Sequence, residues 1–553
     1  MQYYEIMGEL TKYIENKIDE GILDFFQKYE GKDNYLLIYP LLNIELGAMR
    51  EEPESTDNLF NRCVTGFIYN HIVSSHKKLS LQPINAKGLE KFQIKIHPEL
   101  TKLFQDYRVF REIKVGNAVS RIKLEKRGIN KYQMITSLVT DKYTEEDFYF
   151  YGLDNAEEAK REKELIIKGH SNFWDKYVLH GYEDFQRNKM EECIDTELLT
   201  YCKSLVRKDL SKWNGNVKSS IFKNIEELCD VIGFLYYLAF LRSMRARIIS
   251  TCIGFDKSVY DILLMKYDKD WLISKIVEIS GRHVNKVAQI INYLINQGGP
   301  NLLDFPLFQI ENYIVTVPSL IMVNDWQFTI IDGHHVKDIE IKNRQKTISS
   351  FTECRIDKML SDIDNVLLAK EKYYEFTDET GAKKNSDIDY AIYDLLHNKL
   401  LVIEAKWKDN HYYDEIDKSY IKIEDTVNDI FASQIFRHKN FLNKPGSIEY
   451  LFDNDKELRI NNTPPEVFYI AVDKRSQFHK NGNHMVSEFM LLCFLDACIS
   501  NGGIDLRIFI DEISTLETKI EYIQGEENFK EWILNNECTI LIEEHELRLN
   551  YRF

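Results

Sequence analysis

Glycine (24) and proline (10) are scarce in this chain of 553 residues, which argues against long flexible linkers and fits helix-rich domains. The nine cysteines are scattered and contain no Cys-x-x-Cys pair, so neither a disulfide framework nor a zinc finger is expected. Reduced thiols in a cytoplasm follow. No long hydrophobic run is present: Val231 to Leu241 spans only eleven residues before Arg242, Arg245 and Arg247. A bilayer needs roughly twenty, so this run predicts a buried helix and no membrane partner. A basic amphipathic segment touching membrane or nucleic-acid phosphates is the alternative. The start, Met1 to Leu10, holds Glu5 and Glu9 and lacks a basic segment followed by an apolar core, so no secretory signal is expected and the mature protein is expected to begin there. There is no Gly-x-x-x-x-Gly-Lys-Ser/Thr pattern, so energy-driven translocation would need another subunit. No fixed-period repeat or low-complexity tract occurs, which excludes a solenoid. Positive charge is also short, 71 Lys and Arg against 88 Asp and Glu, a net charge of −17. Any contact with nucleic acid must then be local, and the acidic balance suits a dormant enzyme awaiting a partner or trigger.

What is present is ordinary for globular protein, 44% hydrophobic and 29% charged, with length for two to four domains. The first 250 residues read as mostly helical, as in Met1 to Tyr29 with Tyr3, Ile6, Leu10, Tyr13, Ile14 and Ile18 on one face. Asn155 to Glu164 reads as a solvated helix or connection, and Asn214-Gly215-Asn216 as a turn. Between Asp268 and Val317 a helix around Trp271 to Ile279, a Ser280-Gly281 break and a second helix from Val284 to Ile295 have helix-turn-helix spacing. Gly298-Gly299-Pro300 ends the second helix, and Phe305 to Val317, with Tyr313-Ile314-Val315, supplies a wing. The segment is read as a winged-helix module, with Arg282, His283 and Lys286 facing phosphates or base edges, or as a helical hairpin packing two domains together. Ile321-Met322-Val323 and Phe328 to Ile331 suggest short strands, Asp332-Gly333 a tight turn, and a boundary falls near Gln345. Arg121 to Arg127 and Lys474-Arg475 are further basic patches.

Chemistry concentrates further on. Glu404-Ala405-Lys406 closes the apolar run Leu400 to Ile403, and Asp389 lies in a second strand-like run opened by Ser386-Asp387-Ile388. Side chains alternate along a strand, so Glu404 and Lys406 project to one side about 7 Å apart along the backbone. A hairpin through Leu395 to Lys399 would lay Asp389 beside Glu404. Charges at the end of a buried strand are costly unless paired or bound to metal. Two carboxylates with a backbone carbonyl, that of Ala405, suit Mg²⁺ or Mn²⁺, which takes oxygen ligands and keeps several waters.

At these residues the chain resembles the PD-(D/E)XK nuclease superfamily, over Lys346 to Val472. The resemblance makes Asp389 and Glu404 the metal ligands, Lys406 the motif lysine and Asp387 accessory. Ser349 to Leu368 reads as a helix with Phe351, Ile356, Met359, Leu360, Ile363 and Leu367 near helical spacing, on which Glu353 matches the family's helix glutamate or is a solvated position. Thr426 to Leu442 reads as a second helix; its Gln434 matches a glutamine many members carry or is a surface residue, and His438 reads as structural or exposed. Val467 to Val472 is a buried strand, Met485 to Ala497 a buried helix, and the tail supplies strands at Leu506 to Ile510 and Cys538 to Ile542 and further structure at Glu546 to Arg552.

The resulting expectation is a mixed α/β protein. It has a helix-rich N-terminal region (1–255) holding a protein partner or activator, a winged-helix or connecting module (256–345), and a restriction-endonuclease-like αβββαβ core with a mixed sheet (346–553). The resemblance implies a Mg²⁺- or Mn²⁺-dependent DNA endonuclease in a bacterial antiphage or restriction-like setting, with Arg282, Lys286, Lys474 and Arg475 contacting nucleic acid. A homodimer suits cutting of both strands. The alternative from another class is a nucleic-acid-binding or assembly subunit with an inert nuclease-like domain. A third is a sensor whose N-terminal half silences the enzyme.

Overall fold

In a computed structural model the described residues are 2–50, 56–74, 78–118, 123–128, 131–137, 189–211, 218–252, 257–297, 302, 305–324, 326, 329–330, 341–342, 344–378, 380–406, 425–453, 455, 458, 463–473, 478–480, 482–500, 502–517, 528–534 and 538–545. Arg121, Asn155 to Glu164, Asn214 to Asn216, Gly298 to Pro300, Asp332-Gly333, Lys474-Arg475 and Glu546 to Arg552 lie outside them. The chain forms two units where three regions were expected: 10–111 with 154–344, and 1–9 with 112–153 and 345–553. One unit takes up the chain again at Gln345. The assignment of 112–153 differs because strand Lys131–Ser137 pairs in parallel with Cys538–His545 near the far end of the chain.

The unit holding 154–344 is built on helix α1 (Ile225–Cys252), in which every residue from Val231 to Leu241 is buried. Arg242, at the end of that run, is engaged by Glu191 at 2.5 Å and by the Tyr267 hydroxyl at 3.1 Å, so its charge is matched within the fold. Then come α2 (Lys257–Leu263), β1 (Met265–Asp268), α3 (Lys269–Ser280), α4 (Val284–Leu294), β2 (Phe308–Ile310) and β3 (Tyr313–Thr316), the strands forming an antiparallel sheet in the order β1-β3-β2. Asp268 caps α3 by accepting from the N–H groups of Asp270 and Trp271, and Gly281, at φ 67°, ends it in the left-handed conformation that glycine adopts without strain. On α4, Val287, Ile290, Ile291 and Leu294 form the buried stripe. The strand expected at Ile321 to Val323 is instead helical, Pro318–Met322, because Pro318 at the first helical position presets φ for a turn of helix. Of Phe328 to Ile331, residues 329 and 330 are helical as well.

The other unit carries α5 (Arg344–Leu360), β4 (Val366–Thr377), β5 (Lys383–Asp394), β6 (Lys399–Ala405), α6 (425–442), β7 (Glu466–Asp473), β8 (Phe478–Lys480), β9 (Asn483–Ser487), α7 (Glu488–Cys498) and α8 (Leu506–Glu517). Six strands form one mixed sheet in the order β8-β9-β7-β6-β5-β4; β6, β7 and β9 run parallel and the remaining pairings are antiparallel. Alternation along β6 sends Leu401 and Ile403 into a core with Ile356 and Leu360 of α5 and residues of α7 and α8. Leu400 and Val402 enter the opposite core with Leu442 of α6.

Several expected elements differ. Helix α5 stops at Leu360, and Leu367 and Leu368 belong to β4. A spacing of four, as in Met359, Ile363 and Leu367, is one helical turn and also two strand repeats, so periodicity alone could not separate them. Leu506 to Ile510 is helical because Asp505 caps its start, accepting from Arg507 N–H at 3.0 Å. Met485 lies in β9, and the helix begins at Glu488. In the first 250 residues the hairpin Lys123–Gly128 and Lys131–Ser137 interrupts the helices and carries exposed Lys126 and Arg127. With Asn528–Leu534 and Cys538–His545 it makes a four-stranded sheet. Among the described residues no helix is long and apolar enough to cross a membrane.

Candidate active site

The antiparallel register of β5 and β6, with Ile403 opposite Tyr390, carries Glu404 to the level of Asp389. The Ala405 N–H donates to Asp389 Oδ2 at 2.8 Å, which fixes the aspartate against the end of β6. Lys406 continues the strand, its N–H donating to the Val472 carbonyl at 2.7 Å, and its ammonium reaches Glu404 Oε1 at 2.6 Å. Asp389, Glu404, Ala405 and Lys406 are therefore brought together at one sheet end.

Local backbone geometry prepares this meeting. Ala369 and Tyr374 enter the same core although they are an odd number of residues apart, as do Ile388 and Ala391 on the partner strand. Regular alternation would send each pair to opposite faces. The phase reverses where Glu371 adopts φ 45°, between the ladder pairs Lys370↔Tyr390 and Lys372↔Ile388. A left-handed glutamate inside a strand is strained, and strain of this kind persists where surrounding packing over-determines it. Asp389 sits at the same step on β5, and below the reversal Tyr374 points toward α6.

There it meets His438, which the sequence reads as structural or exposed. His438 is fully buried; its Nδ1 lies 2.7 Å from the Tyr374 hydroxyl and its Nε2 lies 2.9 Å from Glu404 Oε2. Gln434, the expected helix residue, is half-buried one turn earlier, and it is His438 that contacts Glu404. The reason is a π-helical turn over Ile430–Ile435, which breaks the α-helical phase between Thr426 and His438. A histidine one turn after Gln434 was the sequence signal.

The electrostatics record a shortage of positive charge. Burial, reinforced by the charge of Glu404, pushes Asp389 up to about 8, against the pull of Lys406 and the Ala405 N–H. Burial also acts to raise Glu404, but the His438 hydrogen bond and the Lys406 ammonium outweigh it and hold it below the usual carboxylate range. Lys406 is held above its usual value because Glu404 and Asp389 outweigh its own burial. On α5, Glu353 is 6% exposed and, among the described residues, its Oε1 has no hydrogen-bond partner. Burial, then the charge of Glu371, pushes it up to about 7, with Asp357 and Asp387 acting in the same direction. An ionised carboxylate beside one short of a counter-charge is a donor pair that a hard divalent cation fits, with Asp389 and Glu404 as the residues able to hold it.

A second acidic group, Asp394, His397 and Asp505, also has ligand-like spacing. Its chemistry is architectural. Asp394 Oδ1 accepts from the N–H groups of Leu396 and His397 and from Asn365, and Oδ2 accepts from Leu506 N–H and pairs with His397, so the carboxylate staples the β5–β6 turn to the start of α8. In the other unit, Arg282 pairs with Asp230 at 2.8 Å, and Lys286 donates to the carbonyls of Ser220 and Ile221 at 2.9 and 3.2 Å. His283 caps α4 through its ring. These residues make contacts within the fold; Lys474 and Arg475 lie outside the described residues. No protein-family model, curated protein or solved structure matches the chain.

Proposed function

We propose that this protein is a metal-dependent endonuclease of PD-(D/E)XK type that hydrolyses phosphodiester bonds, of DNA in the first instance, with Mg²⁺ or Mn²⁺. The observation that carries the reading is the convergence of Asp389, Glu404 and Lys406 at the joined ends of β5 and β6. The order α5-β4-β5-β6-α6-β7, an antiparallel meander followed by a helix and a parallel strand, supports an αβββαβ core. Held by Asp389 and Glu404, the cation would supply Lewis acidity, lowering the pKa of a bound water and neutralising charge on a phosphate oxygen. The chain's own part is then electrostatic and positional. Lys406, half in solvent at the strand end, orients the attacking water or donates to the oxygens on which negative charge develops. Glu353, which retains a proton near neutrality, can hand one over or take one at its unpartnered Oε1. The helix pair α3–α4 with the β2–β3 hairpin has the winged-helix order, and with Arg282 and Lys286 engaged it serves as a scaffold or a protein-docking module.

The test is incubation of the pure protein with plasmid, linear and single-stranded DNA and with RNA, each with Mg²⁺, Mn²⁺ or chelator. Metal-dependent cutting that chelator and Asp389→Ala both abolish is expected. Cutting that persists in the aspartate, glutamate and lysine variants alike would sink the assignment. The inert-subunit reading draws on one observation, that Lys406 and His438 already occupy both oxygens of Glu404. Calorimetry with no Mg²⁺ or Mn²⁺ binding at millimolar concentration would favour it.

A further inference from the structure

The two oxygens of Glu404 are held in unequal ways. Oε2 accepts from His438, which is 0% exposed, and His438 in turn meets Tyr374, 6% exposed. An ionised carboxylate only accepts, so His438 Nε2 carries hydrogen, and in the neutral ring Nδ1 accepts from the Tyr374 hydroxyl. Tyr374, His438 and Glu404 thus form a buried chain in which each donor and acceptor along it is used. Turning Oε2 away would orphan a buried ring nitrogen, a costly loss. Oε1 is different. Its partner Lys406 has a side chain 27% exposed, and a lysine ammonium on a four-carbon stem is free to rotate to water.

We propose that Glu404 offers a divalent cation a single oxygen, Oε1, that Tyr374 and His438 are the positioning residues that enforce this, and that Lys406 occupies Oε1 until the cation displaces it. The proposal rests on the nuclease reading and adds an order of events to it. Arrival of the cation frees the lysine beside the site where water and phosphate must be handled. An unloaded site keeps its lysine tied to the carboxylate and therefore idle.

The test is calorimetric titration of the full chain with Mn²⁺, without nucleic acid. Lys406→Met removes the competitor and is expected to bind Mn²⁺ about tenfold more tightly than the parent, the factor one charge-assisted hydrogen bond represents. In a His438→Ala background Oε2 is released, Lys406 can take that oxygen, and the gain from Lys406→Met should shrink to about twofold or less. Lys406 stands at a strand end, so its variant carries the test alone should the buried histidine variant fail to fold. Equal or weaker binding by Lys406→Met, with the parent binding normally, overturns the displacement step and leaves the nuclease reading intact. An undiminished gain in the His438→Ala background overturns the positioning role. Failure of both parent and Lys406→Met to bind Mn²⁺ removes the metal site, and with it both readings.

Discussion

Two groups of charged residues in this protein look alike in sequence and differ in physical state. Arg282 and Lys286, beside α4, are each satisfied by neighbours that need them: a half-buried aspartate and two backbone carbonyls. Glu404 and Glu353 are buried and Asp389 is half-buried, and Asp389 and Glu353 hold protons well above the usual carboxylate range. Charge that is matched locally is architecture. Charge that is buried and left short of a counter-ion is maintained at a cost in stability, and such sites are where binding and catalysis concentrate.

The largest effect that should separate the two groups is on cleavage. Asp389→Ala, Glu404→Ala and Lys406→Ala are each expected to lower the rate by at least about a hundredfold, the range seen when a metal ligand or a transition-state donor is removed. Arg282→Ala should leave it within about twofold. A gel-based nuclease assay with melting curves for each variant reads this. Equal losses in both groups would erase the distinction.

A stability effect follows next, on Glu353. Its folded carboxyl is pushed up to about 7 from an ordinary value of 4.5. Below about pH 4.5 both folded and unfolded chains are protonated there and the residue is silent. Between the two values the folded chain keeps a proton that the unfolded chain has lost, so stability falls as pH rises, and above 7 the full penalty applies. Glu353→Gln should therefore stabilise the metal-free protein by on the order of 2 kcal/mol at pH 8 and by nothing at pH 4. Urea unfolding at the two values checks it, and a gain that is the same at both would disprove the electrostatic account. The opposite sign is expected for Arg282→Ala, which should cost about 1 kcal/mol, because Asp230 keeps Lys203 at 2.6 Å as a second partner.

The readable part of this architecture was the part written in local contrast. An apolar run from Leu400 to Ile403 that stops at Glu404 and Lys406 reports both a buried strand and its charged end, and Asp389 stands within a similar contrast. What stayed illegible depended on geometry that side-chain pattern does not encode. Nothing about a glutamate at 371 announces a left-handed residue, yet that conformation turns Tyr374 toward α6. The π-helical turn before His438 shifts the helix phase, so spacing in the sequence did not reveal that His438 sits beside Glu404. The helix end at Leu360 was hidden because a spacing of four serves helix and strand equally. Pairing of Lys131–Ser137 with Cys538–His545 joins distant parts of the chain, and composition carries no trace of such a partner. The intramolecular partners of Arg282 and Lys286, Asp230 and the carbonyls of Ser220 and Ile221, were equally hidden, because they lie about fifty to sixty-five residues away in sequence.

Lys286 gives the smallest effect and the sharpest contrast. Its ammonium spans from the start of α4 to the carbonyls of Ser220 and Ile221, so Lys286→Met should cost about 0.5 kcal/mol of stability, a small exposed hydrogen bond's worth. A lysine that neutralises a phosphate has a separate signature: its loss lowers the slope of log affinity against log salt by about 1, because one fewer counterion is released on binding. With the two carbonyls as its partners, Lys286 should lack that signature. The salt slope of DNA binding, measured with a catalytically dead Asp389→Ala chain so that substrate survives, should be the same with and without Lys286→Met. A slope reduced by one unit would mean that the ammonium leaves its carbonyls for DNA. Local charge matching would then no longer separate scaffold from site.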